Sequence, residues 1–292
     1  MPKVESPSRP MLRYHGGKWR LAPWIISHFP AHRVYVEPFG GAASVLMRKP
    51  RAYAEVYNDL DGEVVNLFRV ARDRGEELVR AVELTPYSRE EFEESFRPAS
   101  DPVERARRTA LRSFAGFGGN LTRPNRDSTP QRTGFRNYSS TNRRAIPAGD
   151  WRNWPEGLVL IIDRLRGVVI EQRDAALVLT THDSADTLHY VDPPYVHATR
   201  GFDAGGTHRG YRHEMDDDQH RALAATLHAL AGMVVLSGYA CELYDRELYA
   251  DWRRIEKTAH ADGARARTEV LWLNPACAAA LDASHSLFGA SA

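Results

Sequence analysis

The chain has 292 residues, 42% hydrophobic and 26% charged, the balance of a globular protein able to bury a core without disulfide or metal staples. No apolar run approaches the roughly 18 residues of a membrane span, and MPKVESPSRP at the start has no apolar signal core, so neither a membrane protein nor a secreted one is expected. Only Cys241 and Cys277 carry thiols, which fits a reducing compartment, and a formal net charge of +1 is silent about polyanionic partners.

Residues 1–10 hold three prolines without apolar periodicity and read as a loose tail. RVYVEP (33–38) is a β-branched run halted by Pro38 and then Gly40-Gly41, a strand followed by a turn. ASVLMR (43–48) starts a helix, and AYAEVYND (52–59) reads as a second strand. In DGEVVNLFRVARDR (61–74), Val64, Leu67, Phe68 and Ala71 share one helical face; Asp61 reads as the N-cap, with a contact to a ligand's ribose as its rival role. From about 76 to 157 the pattern changes. Helices are expected near 88–95 and 102–115, then a polar Gly/Asn/Arg/Pro/Ser stretch that is too long for an ordinary connection. Strands return at 168–172, 188–194, 232–238, 252–259 and 269–274, and MDDDQHRALAATLHALAG (215–232) reads as a helix with an acidic start. Strands alternating with helices imply an α/β domain with a largely parallel sheet.

Charge is unevenly placed. Between Arg105 and Arg152 stand eleven arginines and two acids, Asp127 and Asp150, while the rest of the chain is acidic on balance. Such a stretch reads either as a phosphate-binding surface or as a solvated loop in a chain that prefers arginine to lysine. Interleaved aromatics (Phe114, Phe117, Phe135, Tyr138, Trp151) favour the first reading.

Two constellations carry chemistry. In VYVEPFGGAASV a strand runs into Gly40-Gly41 and then a helix, where glycine lets the backbone turn sharply or approach a ligand. A second strand ends at Asn58-Asp59, placing a carboxylate where two ribose hydroxyls could donate to it; the pair suggests an adenosine-containing ligand. The turn is neither GxGxxG nor GxxxxGK[ST], which disfavours dinucleotides and nucleoside triphosphates. HYVDPPY (189–195) is a strand ending in Asp192-Pro193-Pro194-Tyr195. The two prolines stiffen the backbone and remove two N–H donors, so carbonyls and the Asp192 carboxylate can accept from a ligand while Tyr195 offers a flat face. An exocyclic amine on a planar base needs such a set. HEMDDDQH (213–220) is not HExxH, and the cysteines lack a nucleophile context, so zinc and cysteine chemistry are disfavoured. The glycine-rich loop 196–212 reads either as a cover for the base or as an unstructured loop.

From about residue 11 to 275 the chain resembles the Dam-type, alpha-group DNA N6-adenine methyltransferases. Tyr14-His-Gly-Gly-Lys18 is similar to their (W/Y)xGGK motif, Glu37-Pro38-Phe39-Gly40-Gly41 to their methionine-binding loop, Asn58-Asp59 to their ribose-binding motif, and Asp192-Pro193-Pro194-Tyr195 to their catalytic motif. VVIEQRD (168–174) is similar to the strand lining the cofactor adenine, with Asp174 as polar contact. The resemblance implies a Rossmann-like α/β fold, S-adenosylmethionine as cofactor, a double-stranded DNA partner and no metal. It also implies a catalytic domain in 11–75 and 158–292, and a small, mainly helical target-recognition insert in 76–157. Asp192, Pro193, Pro194 and Tyr195 would be catalytic, with a flipped adenine stacked on Tyr195. Tyr14, Lys18, Glu37, Pro38, Phe39, Gly40, Asp59, Asp174 and Asp192 would meet the cofactor. Lys18, Asn120, Arg123, Arg132 and Arg136 would meet DNA, although GFGGNLTR (116–123) departs in spacing from the family's recognition hairpin. A cytoplasmic monomer is expected. An RNA or N4-cytosine aminomethyltransferase, or a catalytically silent DNA binder, is the alternative.

Overall fold

The computed structural model describes residues 6–116, 134–137, 146–199, 212–260 and 266–289. It divides into two compact units: Met1–Ala22, Gly41–Lys49 and Asp61–Gln172 in one, and Pro23–Gly40, Pro50–Leu60 and Arg173–Ala292 in the other. In chain order the regular elements are α1 (Ala22–Ile26), β1 (Val34–Glu37), α2 (Ser44–Arg48), β2 (Ala54–Asn58), α3 (Gly62–Asp73), α4 (Gly75–Glu83), α5 (Arg89–Glu94), α6 (Pro102–Ala115), α7 (Pro147–Arg152), α8 (Trp154–Leu165), β3 (Val168–Glu171), α9 (Ala175–Thr181), β4 (Thr187–Val191), α10 (Asp217–Ala229), β5 (Met233–Tyr239), β6 (Arg253–His260), β7 (Ala266–Leu273) and α11 (Pro275–Gly289). The seven strands form one sheet in the order β3-β2-β1-β4-β5-β7-β6. This is the expected α/β fold of Rossmann-like type.

Within the second unit, β1 pairs in parallel with β2 and β4, and β4 with β5. β7 then inserts antiparallel between β5 and β6, a closing hairpin that the expectation of a largely parallel sheet had not drawn. β4 stops at Val191 because Pro193 and Pro194 have no N–H to continue a ladder. One sheet face, with Val191, Val234, Leu236, Val270 and Trp272, packs under Leu223 and Leu227 of α10 and the Tyr244–Tyr249–Trp252 aromatic group. Each such side chain, fully buried, contributes about 1.5–3 kcal/mol. The acidic start of α10 is a capping box. The Asp216 carboxylate accepts from Gln219 N at 2.8 Å, and the Gln219 side chain accepts from Asp216 N at 2.9 Å.

The first unit is helical, with β3 its only strand among the described residues. Asp61 caps α3 as expected, accepting from Glu63 N at 2.9 Å. Asp101 caps α6 in the same manner through Glu104 N, with Pro102 in the first turn, where a missing N–H costs nothing. Phe114, Trp151 and Trp154 form one aromatic cluster. Phe135 pairs with Gly116 in an antiparallel bridge beneath Tyr87 and Phe92. Within the expected loose tail, residues 6–10 have no regular structure, yet Arg9 donates to the carbonyl of Asp150 at 3.3 Å. No described helix is long and apolar enough to cross a membrane.

Candidate active site

The ends of β1 and β2 are laced together by one amide. Asn58 is fully buried. Its Nδ2 donates to the carbonyls of Pro38 (2.9 Å) and Arg173 (3.0 Å), and its Oδ1 accepts from Arg173 N at 2.9 Å. Gly40 N in turn donates to Asn58 O at 2.8 Å. A Cβ on Gly40 would stand 2.1 Å from the Tyr57 ring, so close approach by a buried tyrosine already requires this glycine. Glu37 is buried and accepts from Tyr35 OH at 2.8 Å; burial, with Glu37 beside it, pushes the Tyr35 phenol up. Pro38 is buried and Phe39 half-buried against the apolar cluster. Asp59 follows β2, half-buried. Asp174 is exposed at the start of α9, where its carboxylate accepts from Ala176 N and Leu177 N. The expected polar contact is thus already a helix cap.

The Asp192–Tyr195 corner hangs from the end of β4. Asp192 is half-buried, and its Oδ1 accepts from Ser237 Oγ at 2.7 Å. Pro193 is buried and Pro194 half-buried. Tyr195 does not present an open flat face: it is only 6% exposed. Its hydroxyl donates to Glu269 Oε2 at 3.0 Å, and its ring meets Tyr239 edge-on with centroids 4.6 Å apart. Tyr239 and Glu269 are directly opposite on β5 and β7, so one rung of the sheet holds both the ring and its hydroxyl.

In the first unit, the Tyr14 ring lies against Gly41, which has φ +48°; a Cβ on this glycine would stand 3.0 Å from Tyr14 Cε1. Lys18 is no surface lysine. It is 5% exposed, with Nζ donating to Gly16 O at 2.9 Å. Arg136 is half-buried, its guanidinium donating to Phe114 O at 3.1 Å. Asn120, Arg123 and Arg132 lie outside the described residues, as does most of the loop expected to cover the base.

Part of the basic stretch is consumed inside the fold. Four of its arginines, all on α6, are paired with acids inside the same unit. Arg105 meets Glu63 at 2.6 Å, Arg107 meets Glu91 at 2.8 Å and Glu104 at 2.7 Å, and Arg108 meets Glu104 at 2.5 Å. Arg112 lies 3.9 Å from Glu63 and bonds the carbonyl of Ser95. A count along the sequence treats these charges as available to phosphates; in the folded chain they bind α6 to α3 and α5.

The D12 class N6 adenine-specific DNA methyltransferase family matches residues 14–261. The chain belongs to that family. This methyltransferase is 25% identical over 209 residues to a DNA adenine methylase of Escherichia coli K12, covering 68% of the chain and 69% of the relative. It is 28% identical over 272 residues to the type II methyltransferase M1.LlaDCHI of Lactococcus lactis subsp. cremoris, covering 86% and 88%. A DNA adenine methylase of Serratia marcescens is 33% identical over 73 residues, a quarter of each chain. Among the described residues, no three His, Cys, Asp or Glu side chains gather to hold a metal.

Residues next to the methyltransferase's motifs escape a reading of the sequence. Ser237 and Glu269 are buried polar groups on strands that stand out only for their apolar pattern, and the buried Tyr190 stands two residues before Asp192 on β4. A polar residue within VVLSGY or EVLWLN is the available signal, because a buried polar group needs a partner.

Proposed function

We propose that the protein is a site-specific DNA-methyltransferase, transferring a methyl group from S-adenosylmethionine to N6 of an adenine flipped out of duplex DNA. The observation that carries this reading is the rigid acceptor corner at the end of β4, with Asp192 held by Ser237 in a chain of the D12 family. The residues present suit the cofactor. A half-buried carboxylate, Asp59, closes β2 beside the strand that ends in the Glu37–Gly40 turn, the place where α/β sheets take adenosine ligands. When bound, the cofactor supplies a methyl group on a positively charged sulfonium.

Asp59 would accept from the ribose hydroxyls, with Glu37, Pro38, Phe39 and Gly40 forming the adjacent wall. For Tyr14, Lys18 and Asp174 the support is their motifs. At the corner, the Asp192 carboxylate and the Pro193 carbonyl accept the two N6 hydrogens. An aromatic amine is a weak nucleophile because its lone pair is spread into the ring. Holding both hydrogens toward acceptors favours a pyramidal nitrogen whose lone pair is localised, and Asp192 stabilises the positive charge that grows there. Catalysis is then positioning and electrostatics, with no covalent bond to the protein. The clamped Tyr195 ring fixes the corner and bounds the base. We assign target recognition to 76–157, with Asn120, Arg123, Arg132 and Arg136 toward DNA. The bacterial relatives suggest a cytoplasmic enzyme.

The test is transfer of labelled methyl from S-adenosylmethionine to unmethylated duplex DNA, with RNA and peptide in parallel. Label is expected on adenine N6 in DNA, and Asp192→Ala should abolish it while cofactor binding persists. Label on cytosine, or full activity in the variant, would overturn the assignment.

A further inference from the structure

We infer that Ser237 and Tyr190 are positioning residues that aim the Asp192 carboxylate, an inference that rests on the catalytic reading of Asp192. The three side chains form a continuous line. Ser237 Oγ lies 2.7 Å from Asp192 Oδ1 and 3.1 Å from Tyr190 OH. The direction of each bond follows from proton inventory. A carboxylate can only accept, so the one hydroxyl proton of Ser237 points at Asp192. Ser237 then has only lone pairs left for Tyr190, so the phenol donates. Tyr190 keeps that proton: burial, with the charge of Asp192 added, holds its phenol well above the ordinary tyrosine range. The line therefore runs one way, from phenol to serine to carboxylate, and each bond polarises the next.

Its placement is built into the sheet. Val191 of β4 stands beside Leu236 of β5, so the next step of this parallel pair brings Asp192 beside Ser237. Tyr190 and Asp192 alternate onto the same face of β4, which is the face Ser237 meets. Ser237 is 2% and Tyr190 1% exposed, so water does not compete for these bonds. The half-buried carboxylate is thereby fixed from its rear through Oδ1. Tyr190 acts only through Ser237, and Ser237 acts on Asp192.

The experiment is a double-mutant cycle on the full chain, reading kcat and KM for S-adenosylmethionine with unmethylated duplex DNA. Removing a hydrogen bond to a charged group lowers a rate by about tenfold or more, so Ser237→Ala is expected to lose about that factor in kcat. KM and calorimetric affinity for S-adenosylmethionine should stay within about twofold, as for an interaction felt at the reacting amine and not in cofactor binding. Tyr190→Phe should lose a smaller factor in the native background and nothing further in Ser237→Ala. Losses that multiply would overturn the relay, as would a Ser237→Ala loss confined to cofactor affinity or melting temperature. The Asp192 reading fails separately: full activity in Asp192→Ala would remove it even if Ser237 and Tyr190 proved coupled.

Discussion

Tyr195 shows how a motif can single out a side chain without revealing how the fold holds it. The tetrapeptide suggests an open ring; the fold turns that ring inward and ties its hydroxyl to the buried Glu269. Tyr195→Phe keeps the ring and deletes the donor. Denaturant melts should show a loss of about 1–3 kcal/mol, the cost of withdrawing a partner from a buried polar group. Methyl transfer should fall no further than that instability explains; a much larger loss of kcat in a stable variant would place the hydroxyl on the substrate instead. The partner is illegible in the sequence because Glu269 is 74 residues away, on a strand that only the closed sheet brings near. Asp61 is legible for the opposite reason: its partner, Glu63 N, is two residues on. Local hydrogen bonds can be read from sequence, whereas those made across a sheet cannot.

The same contrast runs through the elements. β1, β2, α3, α6 and β5 lie within a residue or two of their expected limits, because each carries its own period and punctuation. α8 was not expected, although Trp154, Leu158, Ile161 and Leu165 share one buried face. Pro155 sits in the first turn, where proline breaks nothing, and Gly157 leaves room for the Arg9 side chain, 3.1 Å from where a Cβ would stand. At the β1 turn the glycines read as a sharp turn or as room for a ligand, and Gly40 answers first to Tyr57. Gly40→Ala should therefore destabilise the folded chain by about 1–3 kcal/mol through overpacking. The melting temperature should drop by a few degrees even without cofactor. An unchanged melting temperature combined with weakened S-adenosylmethionine binding would instead assign this glycine to the ligand.

For the whole molecule, the ion pairs of α6 contribute to the response to acid. Arg107, and after it Arg108, hold the Glu104 carboxyl down at about 2. A depressed carboxylate stabilises the fold above its unfolded value of about 4.3, and the contribution is lost as pH falls through the folded value. Glu104 is about a third exposed, so on the order of 1 kcal/mol is expected from it. Wild type should be more stable than Glu104→Gln at neutral pH, and the gap should close between about pH 5 and pH 2. A gap independent of pH would mean that packing, not charge, is responsible.

Those pairings also bear on how tightly a polyanion could be gripped. Binding a nucleic acid draws much of its free energy from the small cations that leave the phosphates when protein cations replace them. A guanidinium already neutralised by a glutamate displaces none of them. Arg105, Arg107, Arg108 and Arg112 are in that position, so the ionic-strength dependence of association should reflect the remaining basic side chains, and a slope estimated from the linear count of arginines would be too steep.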